Sequence, residues 1–293
     1  DYIIPVAQEK LKEMPGGEKW HNSMESMKRL ARIHLKDAAG EPLNKEDLLV
    51  LYEMNGAIQS TGYGEDPRIH ELRSKIDPYD AMPILFECSQ DQIAKNPKHI
   101  NQDTKAYVGP LRPGIFDKIQ EFNIEHIYTS FPEGRIEKKE IEIGGKTEKE
   151  LEKEMKERGI NTSDYAKDMM RSKDFTTLKN PEKVSTIRLK VRDLFKDNNV
   201  HTTDEIYKRA KELGLELCPA EVGPNYRIQY QDQSLNEWIY IAMKQIDDRD
   251  GGPGVFGLGR GEGGLWLCGG WTEPADGWDP GDGLVFSLRK SES

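Results

Sequence analysis

The residue types best suited to holding a ligand crowd into one stretch near the C-terminal end of the chain. Four of its five tryptophans, Trp238, Trp266, Trp271 and Trp278, fall within 41 residues. Trp271 and Trp278 stand in a Gly- and Asp-rich segment, Gly269–Gly283, beside Glu273, Asp276 and Asp279. Flat rings next to carboxylates can stack on sugar faces while the acids take the hydroxyls. They can equally anchor a protein partner, where tryptophan often forms the hot spot. A third reading has the rings clamp the loop onto its own sheet with no ligand at all. Asp276, Asp279 and Asp282 recur every three residues among Gly277, Gly281 and Gly283. Hard oxygen ligands in such a loop suit calcium, but the spacing is not that of an EF-hand. Solvated Asp-Gly turns are the simpler account, and no metal is expected. The expected ligand-binding residues are therefore Trp271, Trp278, Glu273, Asp276 and Asp279.

Other chemistries find less support. Gly257-x-Gly259-x-Gly261-x-Gly263-Gly264 has the look of a phosphate cradle. A dinucleotide site needs a helix N-terminus after the loop, and Leu265-Trp266-Leu267 reads as a strand, so a hairpin turn is expected and no cofactor. His70-Glu71 lacks the second histidine of a zinc-protease helix, because position 74 is Ser74. The six histidines, His21, His34, His70, His99, His126 and His201, form no pair at metal-ligand spacing. No G-x-S-x-G elbow exists. Cys218 could serve as a nucleophile if His126 or His201 approached it, but a buried structural thiol is the stronger reading. No catalytic residue is assigned.

Composition narrows the setting. The formal net charge of −10 argues against a phosphate-tracking surface and hence against nucleic acid. Lys28, Arg29, Arg32 and Lys36 share one helix, but Glu25 and Asp37 flank them, which reads as a solvated face. Three scattered cysteines, Cys88, Cys218 and Cys268, suggest no disulfide framework and fit a reducing, cytoplasmic setting. No run of about 18 apolar residues suggests a membrane span, and no signal-peptide pattern is visible. The chain opens on Asp1 rather than Met, as a piece of a longer protein would.

The elements that must position these residues fall into four stretches. Residues 1–80 read as helical. Met24, Met27, Leu30, Ala31 and Leu35 form a stripe ended by Gly40. Asn44 caps a second helix that Asn55-Gly56 stops, and a Gly- and Pro-rich crossing at 61–67 precedes a third at 68–75. Residues 81–145 hold strand-like runs at Ile84-Leu85-Phe86, Ala106-Tyr107-Val108 and His126-Ile127-Tyr128, spaced by 22 and 20 residues with short helices between. That period suits a leucine-rich-repeat-like solenoid, and an ordinary α/β layer suits it equally. Residues 146–179 form a helical connector opened by the capping box Thr147-x-x-Glu150, with Ser163 capping a second helix. Residues 180–293 read as a β-rich domain with one leading helix from Thr202-x-x-Glu205. Val184 to Leu194 fits helix and strand alike. Strands are expected at 215–218, 226–230, 238–246, 255–258, 265–268 and 284–288.

Thr202–Tyr207, Ala210–Pro219, Glu237-Trp238 and Phe286–Lys290, with Ala106–Gly109 and Ile127–Gly145 in support, resemble a group of uncharacterised proteins from candidate-phyla bacteria of the Parcubacteria type. The resemblance implies a bacterial origin and a shared architecture over most of the chain. It carries over no catalytic residue, because that group has no established activity.

The expected fold is thus α+β: an N-terminal helical region, a central α/β layer open to the repeat reading, and a C-terminal β-rich domain. The expected function is non-enzymatic binding of a protein or glycan ligand through the Trp/Asp-rich loop. A hydrolase working through acidic residues or Cys218 is the rival.

Overall fold

The computed structural model describes residues 17–54, 58, 66–247 and 250–289, and the side chains of these from Asn22 onward apart from Asn22 itself, together with His21. It is an α+β protein whose chain divides into two compact units, 1–93 and 94–293. The expected helix stop at Asn55-Gly56 and the crossing from Thr61 to Glu65 lie outside the described residues.

The first unit is built from helices α1 (Gly17–Ala38), α2 (Lys45–Leu51), α3 (Pro67–Ser74) and α4 (Pro78–Phe86). Asn44 caps α2 through a reciprocal box with Asp47, and Asp66 and Asp77 cap α3 and α4, each followed by proline at the first helical position. That last signal corrects one expectation. Ile84-Leu85-Phe86 is not a strand but the final turn of α4, because the Asp77-Pro78 start outweighs the β propensity of three apolar residues. The stripe on α1 also differs. Leu30 and Ile33 are buried, whereas Leu35 is exposed. The carboxylate of Asp47 is buried and accepts from Lys36 Nζ at 2.7 Å.

The second unit is organised by one mixed sheet. In chain order its strands and the two of a smaller sheet are β1 (Ile93–Ala94), β2 (Ala106–Val108), β3 (His126–Tyr128), β4 (Arg135–Ile143), β5 (Asn161–Thr162), β6 (Glu182–Lys190), β7 (His201–Thr202) and β8 (Leu215–Glu216). They continue with β9 (Trp238–Ile241), β10 (Ile246–Asp247), β11 (Pro253–Gly261), β12 (Gly264–Trp271), β13 (Gly277–Trp278) and β14 (Gly283–Leu288). The large sheet runs β1-β2-β3-β4-β6-β14-β9-β11-β12-β5, with β8 on β14 and β10 on β11, while β7 and β13 pair separately. Helices α5 (Ile115–Glu121), α6 (Glu148–Glu157), α7 (Asp164–Arg171), α8 (Val191–Phe195), α9 (Thr203–Leu213) and α10 (Val222–Gln229) pack around it.

The solenoid reading does not hold. β2 and β3 are parallel, as a repeat would have them, but β4 returns antiparallel to β3 and continues into β6. The ordinary α/β layer is what forms. The same β4–β6 pairing carries the sheet across positions 145 and 179, so the expected boundaries there fall inside one unit. The ambiguous segment from Val184 is strand β6, followed by the single-turn helix α8. Of Tyr226–Tyr230, expected as a strand, Tyr226–Gln229 belongs to helix α10 and Tyr230 is its C-cap. Tyr226, Arg227 and Ile228 are consecutive and all buried. An element wrapped by core on every side loses the periodic signal that separates helix from strand. The capping boxes at Thr147 and Thr202 and the cap at Ser163 form as expected.

Candidate functional site

The Trp/Asp-rich loop joins β12 to β14, and the structure splits its two indoles. Trp278 is 7% exposed. Its Nε1 donates to Thr203 Oγ1 at 2.9 Å, and its ring meets Tyr240 edge-on at 4.8 Å between centroids. Strand β13 pairs Trp278 with His201, whose ring stacks on Phe195 at 3.6 Å. The expectation that Trp278 binds a ligand is therefore corrected: the ring is core, with its one donor satisfied internally.

The loop's acids serve the backbone. Asp276 Oδ2 accepts from the Glu273 amide at 2.6 Å, and Asp282 Oδ2 accepts from the Asp279 amide at 2.8 Å. These carboxylates close local turns. Burial raises the Asp282 carboxyl above its ordinary value, against the Asp279 amide, whose hydrogen bond lowers it. The loop carbonyls reach further. Those of Asp276 and Pro274 accept from Thr203 and Asp204, and those of Asp282 and Pro280 from Val191 and Arg192. The loop thus satisfies the orphan amides at the starts of α9 and α8, which helix geometry leaves without partners. Glu273 and Asp279 stay exposed. Among the described residues, no three His, Cys, Asp or Glu side chains gather as a metal would need.

Trp271 is different. At 60% exposed it ends β12, and register places it opposite Gly254 on β11. Its ring lies on Gly252 so closely that an added Cβ there would meet the ring at 2.0 Å. The ring borders a cavity of about 290 Å³ lined by Tyr165, Met169, Asp250, Gly254, Gly269, Gly270 and Trp271. Glycines make its floor for a packing reason. A Cβ on Gly269 would stand 3.0 Å from both Met169 Sδ and Tyr165 Cβ. Tyr165, half-exposed at 50%, comes from the first turn of α7, and the buried Met169 lies one turn on. Ser163 fixes α7 against the sheet. Its amide donates to the Leu267 carbonyl and its Oγ caps Ala166 and accepts from the Gly269 amide.

Of the five expected residues, only Trp271 borders this cavity. Glu273, Asp276, Asp279 and Trp278 do not. Tyr165, Met169 and Asp250 were missed. Tyr165 and Met169 sit on a connector helix about a hundred residues earlier, and nothing in their spacing ties them to β12. The glycines at 254, 269 and 270 carried the available signal, since glycine inside a strand marks a close approach.

A second exposed indole, Trp238 on β9, lies across Gly259 of β11, where a Cβ would meet its ring at 2.7 Å. Register then sets Gly259 opposite Trp266, which is half-exposed rather than core. The Gly257–Gly264 run is thus mostly strand, with only Glu262-Gly263 at the turn.

Cys218 is buried, its Sγ donates to the Val285 carbonyl at 3.5 Å, and burial pushes its thiol well above the ordinary range. A nucleophilic thiol needs thiolate and access, and this one has neither.

Compared with models of known families, with curated proteins and with solved structures, the chain matches none.

Proposed function

We propose that residues 94–293 form a non-enzymatic binding module, which holds a group of a protein or glycan ligand between Trp271 and Tyr165. The exposed Trp271 ring bordering a glycine-floored cavity carries this reading. A large apolar side chain left 60% exposed at a cavity mouth and braced by backbone is what a ligand anchor requires. The bracing on Gly252 lowers the ordering cost of binding, because the ring is already held. Among the described residues no disulfide joins Cys88, Cys218 and Cys268, which supports a reducing, cytoplasmic setting. Among the described residues no helix is long and apolar enough to cross a membrane.

The test is a glycan and peptide array read with the full chain and with Trp271→Ala and Tyr165→Ala. Ligands that both variants lose, at unchanged melting temperature, support the cleft. Ligands that both variants keep refute it.

A further inference from the structure

We infer that the sheet face formed by β9, β11 and β12 binds a neutral, unbranched glycan by stacking its sugar rings on Trp238, Tyr240 and Trp266. This site is separate from the Trp271–Tyr165 cleft and does not rest on it. Side chains alternate between the two faces of a strand. Register sets Trp271 against Gly254, an even position of β11, and Trp266 against Gly259, an odd one. The two indoles therefore project from opposite faces of the same hairpin.

Two rows build the face. Trp238, Gly259 and Trp266 lie side by side across β9, β11 and β12, and Asn161 of β5 continues that row. Tyr240, Gly257 and Cys268 form the next row. Glycine is required beneath the rings. A Cβ on Gly259 would meet the Trp238 ring at 2.7 Å, and one on Gly257 or Gly270 would meet the Tyr240 ring at 3.3 or 3.2 Å. Both rings from β9 thus lie down over the hairpin, and Trp278 braces Tyr240 edge-on. Trp238 remains 47% exposed, and Tyr240 and Trp266 are partly exposed. Rings already held in place lose little freedom on binding.

The chemistry of the face selects its occupant. None of the residues in the two rows carries a charge, and the net charge of −10 opposes an anionic polymer. A protein partner needs side chains that interdigitate, and the glycines leave a low floor between the rings. A pyranose suits both conditions. With its hydroxyls equatorial, both of its faces are C–H, and the negative face of an aromatic ring attracts those groups. The hydroxyls then point sideways into water. Asn161 donates to the Gly263 and Leu265 carbonyls, so its side-chain oxygen remains to accept from a hydroxyl at the end of the row. An axial hydroxyl would hold the sugar off the rings.

The experiment titrates the full chain with cellohexaose, whose ring hydroxyls are equatorial, and with mannohexaose of the same linkage, which has one axial hydroxyl on each ring. The readout is the indole N–H resonances, assigned by their loss in Trp238→Phe, Trp266→Phe and Trp271→Phe. Saturable shifts at Trp238 and Trp266 with cellohexaose, and none at Trp271, are expected. Mannohexaose should bind several-fold more weakly. Trp238→Ala and Trp266→Ala should each weaken cellohexaose roughly tenfold at unchanged melting temperature. A shift at Trp271 alone overturns the inference and supports the cleft instead. No saturable shift with either sugar also overturns it and leaves the array comparison to decide the cleft. Equal or tighter binding of mannohexaose overturns the stacking. A dimer that forms without sugar and is lost in Trp238→Ala overturns the choice of occupant, because a second copy then covers the face.

Discussion

Trp271 and Trp278 stand seven positions apart in one loop, and the fold gives them opposite work. Trp278 turns inward under β7 and α9, donates to Thr203 and packs on Tyr240. Trp271 stays at the rim of β12, supported from below by Gly252 and open above. Composition is the same on either side, glycine with acid. The difference lies in the strands each ring meets: Trp278 meets a short separate ladder and a helix start, Trp271 a glycine-bearing hairpin. A tryptophan in an acidic loop is thus no evidence of a ligand until its floor and its indole N–H are accounted for.

Substitutions should separate the two rings sharply. Trp278→Ala removes a buried ring and its hydrogen bond and should cost about 3–5 kcal/mol in denaturant unfolding, whereas Trp271→Ala should stay within about 1 kcal/mol. Similar losses at both positions would erase the distinction. Thr203→Val keeps the shape at Trp278 but orphans its Nε1 donor, and about 1–3 kcal/mol should be lost in the same assay. A neutral outcome would mean that the indole finds another acceptor. Gly252→Ala should act at the other ring, at about 1–2 kcal/mol, because the ring must move off its seat. Iodide quenching in a Trp238→Phe background should show Trp271 changing its exposure.

The smallest effect concerns pH. Asp197 accepts from His201 and from the Asn199 amide, and these hold its carboxyl below the usual range. The Thr202 amide, and then His201, do the same for Glu205. A depressed carboxyl stabilises the fold above its unfolded value and ceases to as pH falls through the folded one. The β7–β13 layer around Trp278 should therefore loosen as pH drops below about 4, with Trp271 indifferent. Near-ultraviolet circular dichroism of Trp271→Phe between pH 6 and pH 3 would follow this. Asp197→Asn should flatten the profile, and an unchanged profile would remove these carboxylates from the account.

Much of the architecture was legible without coordinates. The reciprocal boxes at Asn44, Thr147 and Thr202, the cap at Ser163 and the left-handed Gly40, Gly159 and Gly214 mark helix ends by local hydrogen bonding and backbone geometry. Strands β11, β12 and β14 were likewise readable from turns and apolar runs. Those signals act within a few residues, and a sequence displays them directly. One error came where long-range packing governs: Tyr226–Gln229 is helix in a segment buried from Val222 to Ile228. Another, Ile84–Phe86, passed over a local signal, the Asp77-Pro78 helix start seven residues earlier.

The sequence by itself determined that tryptophans, acids and glycines would be concentrated near the C-terminus, and that an α+β chain would present them. Only the tertiary structure decided which indole is free to act. That depends on strand register, which sets Trp271 against Gly254 and Trp278 against His201. It depends also on a helix from residue 164 onward bringing Tyr165 and Met169 to the same cavity. Register and helix docking arise from burial summed over the whole core, a quantity that no single segment contains.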